Sequence, residues 1–106
     1  KYEEAQNTLY AQNAVSIEPE GAPMVMAEGL EAIQAKAQQW ASMVEEVHSI
    51  QVSDPIVASN FFSMSMENEV TFKGMGRQSI SEICVFEVEN GKIVKEQFFY
   101  TAAPMG

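Results

Sequence analysis

The stretch GRQSISEICVFEVENGKIVKEQFFY, residues 76–100, decides the fold. Two long alternating runs flank Glu89-Asn90-Gly91-Lys92. Asn-Gly between such runs is the strongest short-range hairpin signal, because both central residues of a type I′ turn take positive φ. Ile80, Glu82, Cys84, Phe86 and Val88 share one face of the first strand, and Val94, Glu96, Phe98 and Tyr100 share one face of the second. Each strand thus carries an acid on a face that is otherwise mostly apolar.

Upstream of the hairpin, Lys73-Gly74-Met75-Gly76 reads as a turn. Its Gly-x-Gly precedes a strand and not a helix, so it is no phosphate loop. Ile56 to Met66 reads as one strand, with Phe62, Met64 and Met66 on one face, and Glu67-Asn68-Glu69 as a bulge before Val70 and Phe72. Asp54-Pro55 marks a bend or an edge, since proline cannot donate a ladder bond. Period-two alternation places His48, Ile50 and Val52 on one face of a strand over 47–52. Before that strand, Gly29 opens a helix whose stripe is Leu30, Ile33, Ala37, Trp40, Ala41 and Val44, with Gln34, Lys36, Gln38 and Gln39 opposite. Residues 1–13 read as a first helix, Ala14 to Ile17 as a short strand, and Met24 to Ala27 as its antiparallel partner. This order predicts an α+β fold: a cone-shaped, curved antiparallel sheet with helices packed on its concave face.

The 106 residues suit a single domain spanning 1–106, whose first helix is already under way at Lys1 and so implies a missing upstream turn. A hydrophobic fraction of 46% marks a packed globule. The formal net charge of -9 argues against nucleic acid and against anionic membrane surfaces. No apolar run approaches the roughly 20 residues that span a bilayer, and no targeting motif stands out. A single cysteine, Cys84, excludes an internal disulfide and fits the cytoplasm. His48 is the sole histidine, and no His-x-x-x-His, Cys-x-x-Cys or Glu-x-x-His spacing exists. The expectation is therefore no metal and no cofactor.

Four short matches carry a resemblance to a known family. They are Leu9-Tyr10-Ala11 before Ala14-Val15, Gly29-Leu30-Glu31-Ala32-Ile33 at the start of the long helix, Gly76-Arg77 opening a strand, and Gly91-Lys92-Ile93-Val94 with Glu96 and Phe98 after it. With the element order, they make the chain similar to the nuclear transport factor 2-like superfamily and most similar to its SnoaL-like, polyketide cyclase-like branch. The resemblance implies a conical pocket, acids pointing into it, and a homodimer through the outer sheet face. It places Glu96 and Tyr100 as pocket-facing. The spot of a ketosteroid isomerase's oxyanion acid falls near Cys84, which is no acid, so that type of isomerase is not implied. The superfamily holds both enzymes and non-catalytic binders, so the fold leaves the activity open.

The candidate site follows from the faces. If Phe62, Met64, Met66, Cys84, Phe86, Phe98 and Tyr100 form the concave face, alternation adds His48, Glu82 and Glu96 to it. A carboxylate desolvated beside Phe and Met holds its proton more tightly, and histidine titrates near neutrality unaided. His48, Glu82 and Glu96 are the candidate catalytic residues. Trp40, Phe62, Met64, Arg77, Phe86, Phe98 and Tyr100 are candidates for binding a small apolar ligand, with Tyr100 or Arg77 as donor to an oxyanion. Each has a plainer structural reading: a backbone-bonded histidine, paired carboxylates, core aromatics, a solvated arginine. Two functions stay open, a cofactor-free isomerase, cyclase or hydratase, and a non-catalytic ligand-binding or dimerisation module. Ile83, Val85, Ile93 and Phe99 on the outer face favour a partner in either case.

Overall fold

The computed structural model describes residues 7–20 and 25–101. Seven strands form one sheet: β1 (Tyr10–Ile17), β2 (Met26–Glu28), β3 (Val44–Val52), β4 (Ile56–Ala58), β5 (Phe61–Phe72), β6 (Gly76–Glu89) and β7 (Lys92–Phe99). The long helix, Leu30–Met43, leads from β2 to β3. The sheet order is β2-β1-β7-β6-β5-β3, with β4 also paired to β5. The architecture is α+β, a curved sheet that does not close, with the long helix against its concave face.

The hairpin that anchors the sequence reading is present. Asn90 and Gly91 take φ of 52° and 77°, and β6 and β7 pair antiparallel from Glu89 opposite Lys92 to Ile83 opposite Phe99. The sheet departs from the all-antiparallel expectation at one seam. β1 runs parallel to β7, with Ser16 opposite Glu96 and Ile17 opposite Gln97, so the sheet is mixed.

Other boundaries move. Residues 7–9 are helical, but the strand begins at Tyr10 and not at Ala14. Pairing of Tyr10 with Ile93 supplies ladder bonds that outweigh local helix preference. Met24 and residues 1–6 lie outside the described residues. Val44, the last residue of the expected helical stripe, is the first residue of β3. The single strand expected over 56–66 is broken at Ser59-Asn60, where Ser59 has φ 56° and β4 folds back on β5. The bulge expected at residues 67–69 is absent, since β5 pairs with β6 without a slip from Phe61 to Phe72.

The helix buries its first turn, Leu30 and Ile33, while Trp40 and Met43 near its other end are exposed. A compact cluster of Ala14, Ala27 and Ile33, with Tyr10 and Ala32 against it, fixes the helix start to β1 and β2. Gly29 precedes the helix at φ 91°, where a side chain would be strained. Replacing Ile33, 1% exposed, by alanine should cost about 2–5 kcal/mol in equilibrium urea unfolding. A loss below about 1 kcal/mol would show that the helix start is not the packing centre.

Candidate functional site

Cross-strand register brings the site together. On the concave face Phe62 lies opposite Phe86, Met64 opposite Cys84, and Met66 opposite Glu82. Across the next seam Phe86 lies opposite Glu96 and Cys84 opposite Phe98. The Phe62 and Phe86 rings stack with centroids 4.8 Å apart. Trp40 meets Phe72 edge-on at 6.0 Å.

The two glutamates of this face have different surroundings. Glu96 is 5% exposed and saturated. Tyr10 donates its phenol hydrogen to Oε1, and Ser16 donates to Oε2 at 2.7 Å. Lys36 reaches from the helix and donates to Ser16 Oγ at 2.5 Å and to Glu18 Oε2 at 2.8 Å. Its ammonium sits 5.4 Å from the centre of the Phe98 ring. Tyr100 donates to Glu18 Oε1 at 2.6 Å. A continuous polar chain thus runs Tyr10–Glu96–Ser16–Lys36–Glu18–Tyr100 along the floor of the cone.

Glu82 receives only neutral, weak donors: the Asn68 amide on Oε2 at 3.3 Å and the Cys84 thiol near Oε1 at 3.7 Å. Among the described residues no cation pairs with it. Its proton affinity is raised, chiefly by burial; the Cys84 contact opposes this in part, and the smaller effects of the Glu18 and Glu96 charges add to it. Burial, with Glu82 beside it, pushes the Cys84 thiol up to about 12, so it stays a protonated donor. The Tyr100 phenol also holds its proton more tightly, through burial and its bond to Glu18.

Of the sequence candidates, Glu82, Glu96, Phe62, Met64, Phe86, Phe98 and Tyr100 share the concave face. Trp40 lies beside it on the helix. Two candidates do not belong there. His48 shares a 2.6 Å hydrogen bond with Thr71 Oγ1 and sits 3.6 Å from Glu46, on the outer side. The reason is a register slip: Val47 faces Val70 and Ser49 faces Glu69, so His48 is the extra residue of a bulge and simple alternation fails. Arg77 pairs with Glu69 at 3.0 Å on the same outer side and holds that carboxyl below its usual range. Neither can act on a ligand in the cone. Tyr100 is in place, but its hydrogen is already given to Glu18.

Lys36, Glu18, Ser16, Tyr10 and Asn68 were missed by the sequence reading. Lys36 follows Ile33 by three positions and precedes Trp40 by four, which places it at the rim of the apolar stripe, and that spacing was the available signal. Among the described residues no group of three His, Cys, Asp or Glu side chains is arranged to hold a metal ion.

A curved sheet that does not close, with the long helix against its concave face and a partly desolvated carboxylate in its wall, is the cone-shaped α+β architecture of NTF2-like proteins. The chain belongs to the SnoaL-like domain family, whose model matches residues 1–100. It is similar to a candidate SnoaL-like polyketide cyclase from Mesorhizobium loti at 34% identity, TM-score 0.85, over 92% of this chain and 83% of that one. A protein of unknown function from Burkholderia pseudomallei, described as NTF2-like, superposes at TM-score 0.83 with 14% identity, over 93% of this chain and 78% of that one. A protein with a ketosteroid isomerase-like fold from Catenulispora acidiphila, solved with trimethylamine, gives TM-score 0.78 and 18% identity, over 93% and 75%. No curated protein matches the sequence.

The two glutamates should answer the same substitution with opposite signs. Glu96→Gln gives an amide to a site of hydroxyl donors and should cost about 1–3 kcal/mol. Glu82 has a raised proton affinity in the folded state, so its charged form opposes folding above that pKa and is neutral in effect well below it. Glu82→Gln should therefore raise the melting temperature at about pH 8, and the gain should vanish at about pH 4. A melting temperature lowered at about pH 8 would show that Glu82 has a cation partner.

Proposed function

We propose that the protein binds a small, apolar, ring-containing compound on the concave face and that Glu82 moves a proton on it without a cofactor. The observation that carries this reading is Glu82 itself, a half-buried carboxylate with raised proton affinity, set among Met66, Cys84 and Tyr100 and held by neutral donors alone. Such a group takes a proton from carbon better than a solvated glutamate does, because its basicity lies nearer neutrality. In an isomerisation, Glu82 would remove a hydrogen next to a carbonyl, the C–H electron pair would pass into the enolate, and the same carboxyl would return the proton at another carbon. Asn68 amide N–H is the neighbouring neutral donor for the developing oxyanion. Glu96, with both oxygens occupied by hydroxyls, serves as a fixed charge and not as the base.

The aromatic and methionine wall supports an apolar ligand. Phe62, Met64, Phe86 and Phe98 are each only half-buried in the folded chain, so they present surface to an occupant. A non-catalytic binder of the same fold is the second reading, and the same experiment separates them. Ring ketones carrying deuterium beside the carbonyl are incubated with the protein, and loss of label is followed by NMR. Exchange in the wild type that is abolished in Glu82→Gln supports the enzyme. Saturable binding without exchange supports the binder.

We also propose a homodimer through the outer sheet face. Ile83 and Phe99 are register partners there and are 53% and 48% exposed. Sedimentation equilibrium should find a dimer at micromolar concentration, shifted to monomer by Ile83→Asp. A wild-type monomer would sink the interface. The lone thiol of Cys84, buried and protonated, suits a reducing compartment such as the cytoplasm.

A further inference from the structure

The floor of the cone holds three carboxylates, Glu18, Glu82 and Glu96, and one ammonium, Lys36. The other described cations lie elsewhere. Arg77 pairs with Glu69 on the outer side, Lys92 donates to the Thr8 carbonyl at 2.6 Å, Lys73 is in the exposed β5–β6 turn, and Lys95, beside Glu96 in β7, projects to the opposite face. Lys36 would be the natural anchor for a ligand carboxylate. Glu18 forecloses that role. Its Oε2 takes the ammonium at 2.8 Å while its Oε1 is held by Tyr100, and the side chains of Lys36 and Glu18 are 19% and 15% exposed. The pair is thus a short, largely desolvated ion pair fixed from both ends, unlike an exposed pair that opens readily.

Resting on the ligand-binding reading above, we infer that Glu18 sets the charge of the ligand: by cancelling Lys36 it makes the cone accept neutral or cationic ring compounds and reject carboxylates. A carboxylate placed against the Met66–Phe98 wall meets Glu82 and Glu96 with no free cation among the described residues to offset them, in a setting where water screens poorly. A ketone meets no such repulsion. A protonated amine gains an attraction to Glu82 and a face of Phe98 to lie against.

The test uses the full chain, labelled with nitrogen-15, titrated at about pH 7 with three ligands of one ring size: cyclohexanone, cyclohexylamine and cyclohexanecarboxylate. The ketone and the amine should shift the amides around Glu82 and Phe98, and the carboxylate should bind at least about tenfold more weakly than the ketone. In Glu18→Gln the ratio of carboxylate to ketone affinity should rise by about tenfold, and adding Lys36→Met should remove that gain. The wild-type series stands alone if the Glu18 variant does not fold. A wild type that takes the carboxylate as tightly as the ketone overturns this inference and leaves the ligand-binding reading standing. A folded Glu18→Gln with an unchanged ratio overturns it likewise. Failure of all three compounds to bind would instead sink the ligand-binding reading on which it rests.

Discussion

The burial of Glu96 is the constraint on which the rest of the structure depends. A carboxylate 5% exposed in an apolar wall is untenable without donors, and here they come from two other elements. Tyr10 and Ser16 stand on β1, which runs parallel to β7, and Lys36 on the helix completes the set through Ser16. The parallel seam joins the first described strand of the chain to the last. Its ladder slips between Tyr10 and Val15, so backbone pairing alone is interrupted there. The side-chain bonds to Glu96 bridge both sides of the slip. The same bonds orient Lys36, and through it Glu18 and Tyr100, so one buried charge organises the floor of the cone.

Glu82 shares that face and has the opposite fate. Its donors are an amide and a thiol at long range, and its neighbours Glu18 and Glu96 act against its charge. A fold selected for stability alone would place an apolar residue opposite Met66. Keeping an ill-satisfied carboxylate there costs stability and leaves a group able to exchange a proton. The contrast between two glutamates on one sheet face lies in how each carboxylate is satisfied, and burial alone does not express it.

Legibility in the sequence followed the range of the interaction. The β6–β7 hairpin was readable because Asn90 and Gly91 encode the turn locally, and alternation within each strand grouped Glu82 with Phe86 and Glu96 with Phe98; a slip in the ladder between Glu87 and Val88 is what brings the two sets to one face. The helix start was readable from the Leu30 and Ile33 spacing. Alternation failed in β3, where an extra residue turned His48 outward, since a bulge leaves no mark in a polar edge strand. Arg77 is a different case: counting by twos from Glu82 puts it on the outer face, so its placement was legible and the expectation of a ligand contact ran against it. Glu18 and Ser16 carried no local signal at all. Their roles exist only because β1 lies beside β7, a contact across some eighty residues of chain.

Tight packing and exposed apolar surface also occupy different parts of the concave face. Ala14, Ser16, Ala27, Leu30 and Ile33 are buried together where the helix begins. Toward the far end of β3 the same face carries Ile50 and Val52, each more than half exposed and away from Trp40, which meets Phe72 beside the start of β3. The helix is secured at its first turn, by Lys36 midway and by Trp40 against Phe72, with Val70, Phe72 and Cys84 also buried on the sheet, and the exposed Ile50 and Val52 lie beyond it on the edge strand. Apolar surface left open there lowers stability, and under the ligand-binding reading proposed above it would be available to a ring compound. The polar chain that satisfies Glu96 and the exposed apolar side chains of the β3 edge thus stand on opposite sides of one sheet face, the first fixing the seam between β1 and β7 and the second left exposed.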